Sequence, residues 1–302
     1  MMHPVLKLIQ SRDNRSLSGR PDENSMIKTH AGKNHLVLDS PHSGTYYPAD
    51  FEHACDLITL RRAEDTHVEK LFSFAPELDA AWVEALFPRS YLDVNRGLTE
   101  IDPVLLDAMW PYPSDLVIDN AKIRLGKSLV WRLTDEGEPI YDRLLPVSEV
   151  QHRIDTCWKP YHAALTTAID QALDHHGFCI HLNCHSMPAV ASSHATEFPG
   201  LVHADFVIGD RDGTTASPSL SHLICEHLRA RGYTVSYNHP YKGVEIVKRH
   251  GRPAVNCHSI QLEINRKLYM DEMSLEIKPE FDALQATLRS LIEMLGTIDA
   301  VL

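Results

Sequence analysis

The chain has 302 residues, 43% of them hydrophobic, with 29 Lys and Arg against 41 Asp and Glu, a net charge of −12. That apolar share sustains a sizeable core and excludes a wholly disordered chain. The negative balance, with no Lys/Arg-rich run, excludes a nucleic-acid backbone binder, and no apolar stretch approaches the length of a membrane span.

In chain order, residues 1–34 read as a polar N-terminal tail or loop, because "QSRDNRSLSGRPDENSMIKTHAGKN" lacks any apolar period. Residues 35–302 read as one α/β domain. "HLVLDS" is a short apolar run and predicts the first strand; "SPHSGTYYP" is a loop, since two prolines and a glycine do not continue a strand. Leu57, Leu60, Val68, Leu71 and Phe72 share helical spacing and predict one helix over "CDLITLRRAEDTHVEKLFSFAPEL", closed by Pro76. "AAWVEALF" and "SYLDVNRG" predict two strands joined at "PRS". A long helix is expected over 147–176, with Pro160 either as a kink or in the first turn of a second helix, and Gly177 as its stop. "FCIHLNC" and "ADFVIGD" predict strands, "SPSLSHLICEHLRARG" a helix, "YTVSYN" and "SIQLEI" strands, and "EIKPEFDALQATLRSLIEMLG" a closing amphipathic helix. Strand and helix alternate, and strands such as "FCIHL" are continuously apolar. The expected fold is a three-layer α/β/α sandwich around a mostly parallel mixed sheet.

The six cysteines are scattered with no CxxC pair, which suits reduced thiols. The N-terminus shows no basic region followed by a long apolar one, as a signal peptide would. A soluble, cytoplasmic protein is expected.

Three strands end in polar clusters: "HLVLDSPHSG", "HLNCHSMP" and "HSIQLEINR". Open α/β sheets bind ligands at the carboxyl ends of their strands. His42 and His185 are strand-end histidines suited to a divalent metal, which needs about three His or carboxylate ligands and an open position. "RRAEDTH" supplies the carboxylate, Asp65 in preference and Glu64 as the alternate. Equally, His42 after a proline can simply cap a turn, and Glu64 and Asp65 can be a solvated face paired to Arg61 and Arg62.

"LDSPHSGTYYP", "EDTHVEKLF", "YLDVNRG", "CHSMP", "NHPYKG" and "IQLEINRKLYMDE" resemble, in order and spacing, the N-formylglutamate amidohydrolase (deformylase) family over about residues 35–275. That family is similar in fold to the zinc carboxypeptidases. The resemblance implies Zn²⁺ on His42, Asp65 and His185, with other divalent metals possible. It implies hydrolysis of the formamide of N-formyl-L-glutamate by zinc-activated water, and a role in histidine degradation. The chain departs from the family pattern at Lys242, which precedes Gly243 where a glycine pair is usual.

Amide hydrolysis by a metal-activated water needs a general base. Glu263 lies between Leu262 and Ile264 in an apolar strand, a costly place for a carboxylate unless it is paired or functional. It is the candidate base; an internal pair with Arg266 is the other reading. The substrate implied is a small anionic N-acyl amino acid, and arginine binds carboxylates bidentately. By resemblance to the Asn-Arg pair of the zinc carboxypeptidases, Asn95 and Arg96 clamp the α-carboxylate, with Asp93 orienting Arg96 or a ligand histidine. Alternatively, Arg96 and Asp93 form a structural ion pair. Arg266 is the candidate for a second carboxylate, backed by Lys248 and Arg249. Tyr241 either donates to the scissile carbonyl or packs beneath a lid. The same metal site acting on another N-acyl substrate or small peptide, and a noncatalytic small-molecule binder, are the alternative functions.

Overall fold

The computed structural model describes residues 25–117, 120–193 and 198–299. Residues 1–24, most of the stretch read as a tail, lie outside the described residues. Seven strands form one sheet: β1 (Ile27–His30), β2 (Leu36–Ser40), β3 (Ala81–Ala85), β4 (Cys179–Met187), β5 (Phe206–Gly209), β6 (Val235–Tyr237) and β7 (Cys257–Asn265). Their order is β1-β3-β2-β4-β7-β5-β6. β3, β2, β4 and β7 run parallel; β1 is antiparallel to β3, and β5 is antiparallel to β7 but parallel to β6. The sheet is mixed and mostly parallel.

The α-helices are α1 (Leu57–Arg62), α2 (Val68–Leu71), α3 (Ala121–Arg124), α4 (Val147–Arg153), α5 (Lys159–His176), α6 (Pro218–Arg229), α7 (Glu245–His250) and α8 (Phe281–Gly296). Leu36, Leu38, Ile180, Leu182, Ile260 and Leu262 cover one face of the sheet and pack with Leu220 and Ile224 of α6 and Leu288 and Leu291 of α8. On the other face Val37 and Val83 pack with Tyr161, Leu165 and Ile169 of α5. Helices therefore cover both faces, giving three layers. Each fully buried Leu or Ile contributes roughly 1.5–3 kcal/mol of apolar burial. Nine-residue β4 and β7 lie in the middle of the sheet and are buried along their whole length.

Four elements differ from the sequence expectation. β1 lies inside the supposed tail or loop; it is a four-residue edge strand, mostly exposed, so it carries no apolar alternation. The single helix across 55–78 breaks after Arg62, because the Asp65 amide leaves the helical ladder to donate to His42 O at 3.0 Å. Glu64, Asp65 and Thr66 are buried there, where a continuous amphipathic helix would have exposed them. "SYLDVNRG" is a buried series of turns rather than a strand. Its amides bond locally or to Leu129 O, and the Asp93 side chain accepts from the Asn95 amide at 2.9 Å, competing with strand pairing. The long helix runs through a π-helical segment, Ile154–Trp158, just before Pro160, whose missing N–H cannot continue the ordinary ladder. Gly177 does stop that helix, at φ 76°.

Candidate active site and metal centre

The carboxyl ends of β3, β2, β4 and β7 point to one edge of the sheet, and the loops that leave them enclose a cavity of about 990 Å³. His42 follows β2 in the "SPHSG" loop. Gly44 holds that loop against the end of β3: a Cβ there would lie 2.3 Å from Leu86 C. His185 and Glu263 are register partners on adjacent strands β4 and β7, on the same face. The chain therefore sets an imidazole and a carboxylate side by side before any loop is considered.

The structure brings His42, Asp65 and His185 together, with one ligating atom from each within 4.8 Å of the others. Asp65 Oδ2 lies 2.9 Å from His185 Nδ1 and 3.5 Å from His42 Nδ1. The Nε2 of each ring faces an acceptor: Asp93 Oδ1 at 2.7 Å for His42, Asn183 Oδ1 at 2.8 Å for His185. These acceptors favour a proton on Nε2 and turn Nδ1 inward. His42 Nδ1 is buried with no hydrogen-bond partner. An orphaned ring nitrogen beside a second imidazole and a carboxylate fits a divalent cation held by three protein ligands. Of the two carboxylates, Asp65 is the one that meets the imidazoles; Glu64 points away, to the Tyr47 hydroxyl and Arg61.

Asp65 also accepts from Arg89 Nη1 at 3.4 Å and Arg266 Nη2 at 3.3 Å. Burial by itself would raise its pKa; its close contacts with His185 and His42 and the charge of Arg89 outweigh that and hold it well below the ordinary carboxylate range. Asp93 is likewise kept ionised, burial being overcome by the charges of His42, Arg96 and Arg89. Glu263 differs. Burial raises its carboxyl to about 7, with the His185 charge opposing the shift and the Asp65 charge adding to it. Gln261 Nε2 donates to Glu263 Oε1 at 2.8 Å.

Asn95 touches His185 through Nδ2 at 3.3 Å while its Oδ1 accepts from the Ile246 amide at 2.9 Å. Arg96 lines the cavity, with Nε and Nη1 on the carbonyls of Lys127 and Asn95 and Nη2 4.0 Å from Asp93. Arg266 is engaged at its Nε and both Nη atoms, on Ser186, Arg62 O and Asp65, so it braces Asp65 instead of presenting a free fork. Lys248 and Arg249 are exposed on α7 and do not line the cavity; Arg249 pairs with Glu245 at 2.6 Å. Tyr241 lines the cavity, its hydroxyl 3.4 Å from His203 Nε2.

Two residues escaped the sequence reading. Arg89, in the "PRS" turn, bridges Asp65 and Asp93 and stacks on Trp131, 4.9 Å from the ring centroid. Its one signal is an arginine inside the apolar stretch "ALFPRSYL", where a charge persists only if paired. Gln261 is the other, two residues from Glu263 on the same strand face.

The family model for N-formylglutamate amidohydrolase matches residues 34–270, well over half the chain. The chain belongs to the N-formylglutamate amidohydrolase family. It is thereby an amidohydrolase, an enzyme acting on amide bonds. An N-formylglutamate deformylase of Pseudomonas putida is 28% identical over 256 residues, 82% of this chain and 86% of the relative. A Pseudomonas aeruginosa N-formylglutamate deformylase is 26% identical, over 87% and 93% of the two chains. The crystal structure of N-formylglutamate amidohydrolase from Ralstonia eutropha JMP134 superposes with a TM-score of 0.85 at 44% identity, covering 90% of this chain and 97% of the other. Among the described residues of this amidohydrolase, no helix is long and apolar enough to cross a membrane.

Proposed function

We propose that this enzyme hydrolyses the formamide of N-formyl-L-glutamate to formate and L-glutamate, using a divalent metal, zinc by its donor set, on His42, Asp65 and His185. The observation that carries this reading is the convergence of those three ligating atoms beside Glu263 in one cavity. The relatives named N-formylglutamate deformylase support the substrate. When bound, such an ion lowers the pKa of water and polarises a carbonyl.

In this mechanism Glu263 takes a proton from the attacking water as the C–O bond forms. It returns that proton to the formamide nitrogen as the C–N bond breaks, leaving formate and the free amine. A carboxyl raised to about 7 accepts and releases a proton near neutrality. Arg89 sits beside Asp65 within the cavity and donates to the carbonyl oxygen as negative charge develops. Burial, and then the Glu263 charge, push the Tyr241 phenol above its ordinary value, so it remains an O–H donor. Asn95 and Arg96 hold the α-carboxylate, with Arg96 Nη2 the part of the guanidinium not bound to a carbonyl. Five buried cysteines and one partly buried, all free thiols, support a cytoplasmic location.

A cavity of about 990 Å³ is large for a formyl group, which keeps a bulkier N-acyl amino acid as the second reading. The test is formate release from N-formyl-L-glutamate beside acetate release from N-acetyl-L-glutamate, with metal analysis of the same sample. Formate release that stops on chelation and returns with zinc is expected. Acetate release alone would replace the substrate, and full activity in a metal-free sample would remove the metal.

A further inference from the structure

The cations around the cavity are unequally occupied. Arg89 and Arg266 are bound to Asp65, Lys127 pairs with Asp135, and Lys242 pairs with Asp212 at 2.7 Å. Among the described residues, Lys122 lines the same cavity with no carboxylate in ion-pair distance; Arg62 is a second such cation. Lys122 is placed by a short, anchored element. Asn120 Oδ1 accepts from the Ile123 amide at 2.8 Å, Ile123 is buried, and Lys122 on α3 is left open to the cavity. Its surroundings are cationic. Partial burial, and then the charges of Arg96, Lys127 and Arg89, push its ammonium pKa down to about 8. An unpaired lysine among like charges costs free energy that an incoming anion recovers.

We infer that Lys122 is a specificity-determining residue that binds the side-chain carboxylate of a dicarboxylic substrate. The inference rests on the proposed hydrolysis of N-formyl-L-glutamate and names the residue that would select an acidic side chain. Arg96 adjoins Asn95, which touches His185, so Arg96 is placed for the carboxylate next to the scissile amide. Lys122 lines the same cavity as Arg96, open to a second carboxylate carried on a flexible ethylene link of the same substrate. Arg266, fully engaged on protein atoms, leaves that role open.

The experiment compares kcat/KM for N-formyl-L-glutamate with that for N-formyl-L-glutamine, a neutral isostere, in wild type, Lys122→Met, Lys122→Arg and Arg62→Met. Equilibrium binding of the products, L-glutamate against L-glutamine, is measured on the same metal-loaded proteins. Lys122→Met is expected to lower the glutamate-to-glutamine ratio about 10- to 100-fold, the usual worth of one charge-assisted contact, with Lys122→Arg recovering a large part. A ratio within about twofold of wild type in Lys122→Met, or an equal collapse in Arg62→Met, overturns the assignment. If wild type releases formate from neither substrate, the proposed reaction fails by itself. The product-binding preference then still decides Lys122: its loss in Lys122→Met sustains the subsite, and its absence in wild type overturns it.

Discussion

The two faces of β4 and β7 are made of different material. Ile180, Leu182, Cys184, Ile260, Leu262 and Ile264 join the apolar core beneath α6 and α8. The alternate residues His181, Asn183, His185, Ser259, Gln261 and Glu263 are buried and polar on the opposite side. On the apolar face any close-packed hydrophobe of suitable volume serves, because dispersion and burial have no direction. On the polar face each group needs a specific partner. Asp39 accepts from the Tyr161 hydroxyl at 2.6 Å, from His181 Nε2 at 2.9 Å and from Asn183 Nδ2 at 2.9 Å; Asn183 in turn faces His185. One face therefore stabilises the fold, and the other uses that stability to hold a site rigidly.

Four substitutions probe this division. Glu263→Gln keeps the shape and removes the proposed base, so turnover should fall at least about 10³-fold while bound metal and thermal stability hold; formate release with metal analysis and thermal unfolding reads all three. Near-wild-type turnover would exclude Glu263 as the proton carrier. On the other face, Ile180→Ala should cost about 2–5 kcal/mol in urea unfolding and spare kcat/KM. A large kinetic effect there would show that the two faces are not independent. Arg96→Ala should raise KM about 10-fold or more with a smaller change in kcat, and an unaltered KM takes Arg96 out of the carboxylate clamp.

The smallest effect is acid sensitivity. Burial holds the His162 imidazole at about 4; burial, and then the charges of His181 and His162, hold His250 at about 3. Both folded values lie below the unfolded value, so the unfolded chain binds more protons as pH falls. Stability is complete above about 6.5 and declines towards about 4 for His162 and about 3 for His250, at no more than about 1.4 kcal/mol per pH unit for each imidazole. His162→Leu should flatten that slope between pH 7 and pH 5 in urea titrations. Identical slopes in both proteins would mean that His162 does not titrate on unfolding.

Much of this was legible from residue order. A continuous apolar run marked β4, "SIQLEI" marked β7, and the apolar neighbours of Glu263 placed it on the opposite face from their own. The "SYLDVNRG" stretch misled because its buried apolar residues imitate a strand, while Asp93 turns the backbone with its own carboxylate. The long helix through Asp65 misled because helical spacing on both sides of a break looks continuous.

Local pattern thus determined the strands, their two faces and the residue types gathered at the carboxyl edge, because burial and backbone periodicity act over a few neighbours. Only the folded chain decided that Asp65 and not Glu64 meets the two imidazoles, that Arg266 braces Asp65, and that Arg89 joins Asp65 to Asp93. Those outcomes depend on ångström-scale distances between segments far apart in the chain. Such distances are set by sheet register and by where a single amide leaves its helix for His42 O.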